Sequence, residues 1–170
     1  MRKITPLLKS ISISMMLLIM LPFSISTSFA QTSFSGTWKL DEKKSILGDL
    51  QFRIASDKIV IEQGKSDLTM RRTGQGPGGA TETNEKFTFD GKECQNKFFG
   101  DNQKTSTVSW TNKDVMNIKS KASFKNQDGD VMVIDIDENY SLGDDGKTLT
   151  INYASVSNFG EIKQTQVYSK

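Results

Sequence analysis

The chain has 170 residues and a formal charge of +2, from 22 basic and 20 acidic residues. It has no histidine and a single cysteine, Cys94, which excludes Ser-His and Cys-His catalysis, histidine metal sites and an internal disulfide. Three of the basic residues and none of the acidic ones lie before residue 31, which leaves 19 basic and 20 acidic residues beyond it. This near balance gives no reason to expect nucleic acid or an anionic membrane as a partner.

Residues 1–30 have the pattern of a cleaved secretory signal. Arg2, Lys3 and Lys9 precede an apolar run at 15–21, and Ala30 ends a stretch of small residues that a signal peptidase accepts. We therefore expect one mature domain over residues 31–170, exported to the periplasm or outside the cell and soluble. A retained membrane anchor is the alternative, but the apolar run is short for a span, so we expect no stable membrane insertion after cleavage.

The mature chain alternates apolar and polar residues almost throughout. Residues 34–40 predict a first strand with Phe34, Gly36 and Trp38 on one side. We assign structural roles to Gly36, which lets another part of the chain pass close, and to Trp38, whose ring plugs one end of a core.

The later segments repeat the alternation and are joined by short turns that contain glycine, aspartate or asparagine. Two segments depart from it: residues 41–56 could hold one or two helical turns or a loose cover, and the glycine-rich residues 74–79 predict a mobile loop. The fold class is therefore all-β, an antiparallel up-and-down meander of about eight to ten strands closed into a β-barrel. The polar outer rows argue against a lipid-embedded barrel.

The run Gly36-Thr37-Trp38 on a first strand resembles the Gly-x-Trp motif of lipocalins and of the wider calycin group. Together with the segments at 90–94 and 145–151, the chain is similar to small exported lipocalin-like proteins of Bacteroidetes-type bacteria, which have no established activity. The resemblance implies a barrel that binds a small apolar molecule. Lipocalins usually stack a late arginine over the tryptophan, but no arginine follows Arg72 here. Lys163 or Lys170 would have to replace it, or the barrel end would be closed differently.

Inward-facing polar residues among apolar neighbours are candidate ligand anchors. Arg72 and Glu85 fit this description, and Arg72 could grip an anionic head group, but we favour a structural role, either as an arginine at the barrel mouth or in a pair with Glu85 across neighbouring strands. Gln166 and Tyr168 resemble the Arg-x-Tyr pair of fatty-acid-binding proteins with glutamine in place of arginine, which implies a neutral hydroxyl or amide head group over a carboxylate; Tyr168 as a half-buried strand aromatic is the alternative. The remaining candidates could line a pocket, but we favour a role in a solid core, which needs the same residue types. The candidate ligand-binding residues are Met70, Arg72, Glu85, Phe87, Tyr140, Tyr153, Gln166 and Tyr168.

Catalytic and metal-binding motifs find little support. Asp135 and Asp137 are predicted on an outer face with nothing apolar to raise a pKa, and the acidic turns near 128–130 and 144–146 lack the remaining calcium ligands. We expect no catalytic residue, metal or cofactor, and we interpret Cys94 as a half-buried strand residue. The expected function is non-catalytic binding or carriage of a small apolar or amphipathic molecule inside the barrel. The alternative is a structural or protein-interaction module whose barrel is filled by its own side chains.

Overall fold

The computed structural model of this protein describes residues 31–50, 53–76, 79–98, 100–125 and 129–170. The predicted signal segment, residues 1–30, lies outside the described residues. Within the described ranges the regular structure is entirely β, and no helix there is long and apolar enough to cross a membrane.

In the described residues, ten strands form one antiparallel sheet, which confirms the all-β up-and-down prediction. Each strand pairs with its neighbour in sequence, except that β4 and β5 are the two ends of the sheet, and β1 also pairs with the last strand. The strands are β1 (Gly36–Leu40), β2 (Lys58–Gln63), β3 (Asp67–Gly76), β4 (Gly79–Thr88), β5 (Cys94–Lys97), β6 (Gln103–Asn112), β7 (Val115–Lys125), β8 (Val131–Leu142), β9 (Thr148–Ser157) and β10 (Gly160–Ser169).

The sheet curls into a barrel that is nearly closed between β4 and β5. No backbone ladder joins these strands in the described part of the chain, but the side chain of Asn96 on β5 bridges them. Its Oδ1 accepts a hydrogen bond from the Lys86 amide at 2.8 Å, and its Nδ2 donates to the Lys86 carbonyl at 3.0 Å. An amide side chain carries both the donor and the acceptor of a peptide group. Asn96 therefore takes the place of one ladder step across the seam.

The barrel interior divides into an apolar half and a polar half. On β3, Leu68 and Met70 are buried near the strand start and Arg72 follows one step further on the same face. We call the apolar half the closed half and the opposite end the mouth. The closed half is filled by Phe34, Trp38, Ile59, Ile61, Leu68, Met70, Phe87, Val108, Met116, Ile118, Tyr140, Leu149, Ile151 and Tyr168.

The prediction of a mobile loop at residues 74–79 was wrong at its two ends. The β3–β4 ladder continues to the pair Gly76↔Gly79, so that only residues 77–78, which lie outside the described residues, separate the strands. A Cβ on Gly74 would lie 3.3 Å from the Cα of Ser56. The glycine therefore serves close packing against the segment before β2, a tertiary requirement that the local sequence pattern does not reveal.

The segment between β1 and β2 forms a cover and contains no helix in its described residues. Ile46 pairs with Thr165 on β10 in an isolated antiparallel bridge, and the Nε2 of Gln164 donates a hydrogen bond of 2.6 Å to the Leu47 carbonyl. Further along, Ser56 packs on Gly74. These contacts hold the segment against the mouth half of β10 and β3.

Trp38 and Lys170 meet beside the first strand. The indole of Trp38 is fully buried and donates through Nε1 to the Phe34 carbonyl at 2.9 Å, while the Nζ of Lys170 lies 4.5 Å from the ring centroid. A Cβ on Gly36 would approach the Cε of Lys170 to 2.6 Å. Gly36 is thus small because the lysine crosses it, and Lys170, rather than Lys163, supplies the cation over the ring.

Replacing Lys170 with methionine keeps most of the aliphatic contact but removes the charge. We expect the free energy of unfolding to fall by about 0.5–1 kcal/mol, the usual size of an exposed cation–π contact. Urea unfolding followed by circular dichroism measures this change. Lys163→Met is the matched control, since that lysine is exposed and forms a surface ion pair with Glu161. Equal losses for the two variants would contradict a specific role for Lys170.

Candidate functional site

A ring of polar side chains crosses the interior where the closed half ends. Its members come from six strands and occupy inward positions beyond the apolar residues that fill the closed half. We call this ring the polar belt. It consists of Arg72 on β3, Glu85 on β4, Lys104 on β6, Glu138 on β8, Tyr153 on β9 and Gln166 on β10.

Arg72 is the centre of the belt. Its Nε donates to the Oε2 of Glu85 at 2.9 Å, and its Nη2 lies 3.0 Å from both carboxylate oxygens of Glu138. The same Nη2 also donates to the hydroxyl oxygen of Tyr140 in the core below. Glu85 is on the neighbouring strand, but Glu138 is reached across the barrel, 66 residues away in sequence. Arg72 therefore joins opposite walls.

Lys104 completes the charged set. Its Nζ lies 2.5 Å from the Oε1 of Glu85, so that both oxygens of this carboxylate contact a cation. The side chains are 2% exposed for Glu85, 4% for Glu138, 8% for Lys104 and 14% for Arg72. Two acids and two bases are thus held almost out of water with their formal charges balanced.

The pairing fixes the protonation of Arg72 and Glu85. Burial by itself would lower the pKa of Arg72, but the charges of Glu138 and Glu85 outweigh it and hold that pKa well above its usual value. Burial would raise the pKa of Glu85, but Arg72 and Lys104 outweigh it and lower that pKa below its ordinary 4.5. Both groups are therefore charged at neutral pH.

The tyrosines around the belt stay neutral. Burial raises the pKa of Tyr153, and it raises that of Tyr140 and Tyr168 as well. The Tyr168 hydroxyl donates to the Oε1 of Gln166 at 3.2 Å, and the Nε2 of Gln166 donates to Gln164 at 2.9 Å. The belt therefore combines a balanced ionic part with uncharged hydrogen-bonding groups.

A cavity of about 170 Å³ lies on the mouth side of the belt. Ionic, hydroxyl and apolar groups share its wall. It is lined by Ile54, Ser56, Arg72, Gly74, Thr81, Thr83, Glu85, Lys97, Phe98, Lys104, Ile136, Glu138, Tyr153 and Gln166.

A larger, open depression of about 1040 Å³ lies on the outer face of β5–β9. Its charged residues form surface pairs across neighbouring strands, Lys121 with Asp135 at 3.5 Å and Lys119 with Asp137 at 3.9 Å. These side chains are 42–68% exposed, so water and salt screen their charges. The inner cavity is therefore the better candidate site, because its charges are desolvated.

The structure divides the eight residues predicted from the sequence into two groups of four. Arg72, Glu85, Tyr153 and Gln166 line the cavity. The other four are packed in the closed half and do not line it: Met70, Phe87, Tyr140 and Tyr168. Arg72 and Glu85 form the predicted ion pair between neighbouring strands.

Lys104 and Glu138 were missed among the site residues, although the alternation could have found them. Lys104 has the same parity as Val108 and Trp110 on β6, and Glu138 has that of Tyr140 on β8. A charged residue among side chains that face the barrel interior is the signal for such a site residue. The sequence does not reveal that both charges reach Arg72 or its partner.

The belt predicts a stability loss in acid that depends on Glu85. Because the folded pKa of Glu85 lies below 4.5, its charge stabilises the protein above about pH 4.5 and this contribution is lost as the pH falls through the lower folded value. We expect the melting temperature to fall as the pH is lowered below about 4.5, and to fall less steeply in Glu85→Gln. The exposed Glu82 on the same strand gives the control, Glu82→Gln. If Glu85→Gln followed the same pH curve as the wild type, the assignment would be wrong.

The acidic side chains and the single cysteine of the described ranges lie apart from the polar belt or in pairs within it. No group of three or more aspartate, glutamate, histidine or cysteine side chains there is arranged to hold a metal ion. Cys94 is half-buried at the start of β5, and its Sγ accepts a hydrogen bond from the Thr88 amide at 3.3 Å. These observations agree with a structural role for Cys94.

Neither the protein-family models nor the curated proteins with which the chain was compared contain a match. The fold and the site define the described part of the chain as a nearly closed, up-and-down β-barrel of ten strands with a charged interior belt.

Proposed function

We propose that the protein binds a compact amphipathic molecule without catalysing a reaction, with the polar end of the molecule in the cavity above the polar belt. The observation that supports this most is the position of that cavity. It lies where desolvated polar groups are accessible from the mouth, and packed side chains close it below. Ile54, Phe98 and Ile136 supply apolar wall for the rest of the molecule.

The cost of the belt supports a role beyond stability. Burying ionic groups costs several kcal/mol each before pairing, and apolar residues of similar volume often give an equally or more stable core. The closed half is built in that apolar way, whereas the layer above it has two acids and two bases. Recognition of a polar group accounts for the difference between the two layers.

A structural or protein-interaction module is the second candidate, and the size of the cavity favours it. About 170 Å³ is below the roughly 300–1,000 Å³ of ordinary ligand pockets, and the closed half is filled by its own side chains. In this case the belt would act only to specify the pairing of strands.

We also propose that the chain is an exported, lipocalin-like protein. The up-and-down barrel and the Trp38–Lys170 contact beside Gly36 support the resemblance, although lipocalin barrels usually have eight strands and this one has ten. Amino-terminal sequencing of protein purified from its own host is expected to begin at Gln31. A start at Met1 in membrane-bound material would favour the retained anchor.

Native mass spectrometry of the protein purified from its own host distinguishes the two candidate functions. We expect a small molecule to be retained by the wild type and lost in Thr83→Trp, because Thr83 lines the cavity and the larger ring would fill it. Glu82→Trp is the matched control, since the neighbouring Glu82 points to solvent. A wild type that is always empty, together with unchanged stability in Thr83→Trp, would favour the structural module.

A further inference from the structure

We propose that the group recognised at the polar belt is uncharged, a hydroxyl or an amide rather than a carboxylate or an amine. This inference rests on the proposed binding function and specifies its ligand class. It follows from the balance of charge in the belt, where every buried ion already has a partner of opposite sign. Arg72 and Lys104 face Glu85 and Glu138.

The two carboxylates have no uncompensated charge to offer. Glu85 contacts Arg72 through one oxygen at 2.9 Å and Lys104 through the other at 2.5 Å. Both oxygens of Glu138 lie 3.0 Å from the Nη2 of Arg72. A ligand ammonium would have to compete with these cations in a desolvated site, where an unpaired charge costs several kcal/mol.

The two cations are likewise committed to the belt. A ligand carboxylate near Arg72 and Lys104 would be brought beside two existing carboxylates, and it would lose its own hydration on entry. Lys97 also lines the cavity, but its exposed position on the rim leaves its charge solvated and screened. The excess positive charge of Lys97 therefore does not favour an anion at the belt itself.

The neutral groups of the wall provide the complementary chemistry. Gln166 donates one hydrogen bond through Nε2 to Gln164, and an amide nitrogen carries two N–H groups. Tyr153 has a neutral phenol because burial raises its pKa. Ser56 and Thr83, which carry hydroxyl groups, line the same cavity. A hydroxyl or amide can exchange hydrogen bonds with such groups without adding charge.

The dimensions set the size of the ligand. Water occupies about 30 Å³ per molecule in the liquid, so a cavity of about 170 Å³ accepts a head group and a few carbons. The apolar side chains Ile54 and Phe98 line the same cavity and can contact these carbons. We infer an amphipathic alcohol or primary amide as the ligand class, with its head group and first carbons in the cavity.

Calorimetric titration of the purified protein at pH 7 with four probes of one chain length tests this inference. The probes are 1-octanol, octanamide, octanoate and octylamine, whose last two members are charged at this pH. We expect the alcohol and the amide to bind at least about tenfold more tightly than the acid and the amine, about 1.4 kcal/mol. Tighter binding of octanoate or octylamine would overturn the neutral head group but leave the binding function standing. Binding of none of the four would overturn both.

Two charge-altering variants test the mechanism in opposite directions. Glu138→Gln leaves the belt with an excess positive charge and is expected to shift the ratio of octanoate to octanol affinity at least tenfold toward octanoate. Lys104→Met leaves an excess negative charge and is expected to shift the ratio of octylamine to octanol affinity toward octylamine. Asp135→Asn on the outer face of β8 is the control, and it should leave both ratios unchanged.

Circular dichroism establishes that each variant is folded. If one variant is not folded, the other variant and the wild-type series still decide the outcome. Folded variants with unchanged ratios would overturn the role of charge balance.

Discussion

Arg72→Met is expected to lower the free energy of unfolding by about 3–5 kcal/mol, the usual cost of removing one partner from a buried ionic set. The change leaves Glu138 without its cation and Glu85 with Lys104 alone, both almost fully buried. Urea unfolding followed by far-ultraviolet circular dichroism measures the loss. Arg71→Met is the matched control, because the adjacent Arg71 is exposed on the other face of β3 and its replacement should change stability by less than about 0.5 kcal/mol.

A second substitution separates the loss of charge pairing from the loss of packing. Combining Arg72→Met with Glu138→Gln removes the orphaned carboxylate, so the double variant should be more stable than the sum of the two single changes implies. Strict additivity would mean that the two residues are not coupled. A change of under 1 kcal/mol in Arg72→Met alone would show that Arg72 is solvated and that the belt is not a buried network.

Trp38→Ala is expected to lower the free energy of unfolding by about 3–5 kcal/mol, since it removes a fully buried ring from the packed end of the barrel. The loss includes the hydrogen bond from Nε1 to the Phe34 carbonyl and the contact with Lys170. Circular dichroism is again the measurement, because it does not depend on the deleted fluorophore.

Trp110→Phe is the control for the chemistry of a buried indole. The Nε1 of Trp110 is buried without a hydrogen-bond partner in the described part of the chain, so losing it removes an unsatisfied donor. We expect a much smaller change than in Trp38→Ala, because the ring contacts with Phe34 and Phe89 can be kept.

If the melting temperature of Trp38→Ala did not move while ligand binding vanished, Trp38 would be a site residue instead of a structural one.

The candidate site could be predicted only in part. The alternation identified inward rows on β3 and β4, and it brought Arg72 and Glu85 together correctly because neighbouring strands of a meander pair. It did not separate Met70 and Phe87, which are packed in the closed half, from the cavity wall. Parity tells which face a side chain occupies but not how far along the barrel axis the packing ends.

The sequence pattern did not predict the side-chain contacts that cross the barrel. Glu138 is brought to Arg72 by the curvature of the whole sheet, and Lys104 reaches Glu85 across the seam that Asn96 bridges. The alternation of residues along a single strand does not specify either of these two contacts. The two glycines that pack against chain segments are similar cases: Gly74 admits Ser56, and Gly36 admits Lys170.

The sequence by itself determined that this protein is an all-β meander with Trp38 at one end, because a period of two and short turns admit few other arrangements. Only the tertiary structure decided that Lys170 lies over that ring, that the apolar half is filled, and that four balanced charges meet above it. The physical reason is that alternation fixes the face of each residue through local geometry, whereas closure of the sheet fixes which distant faces meet.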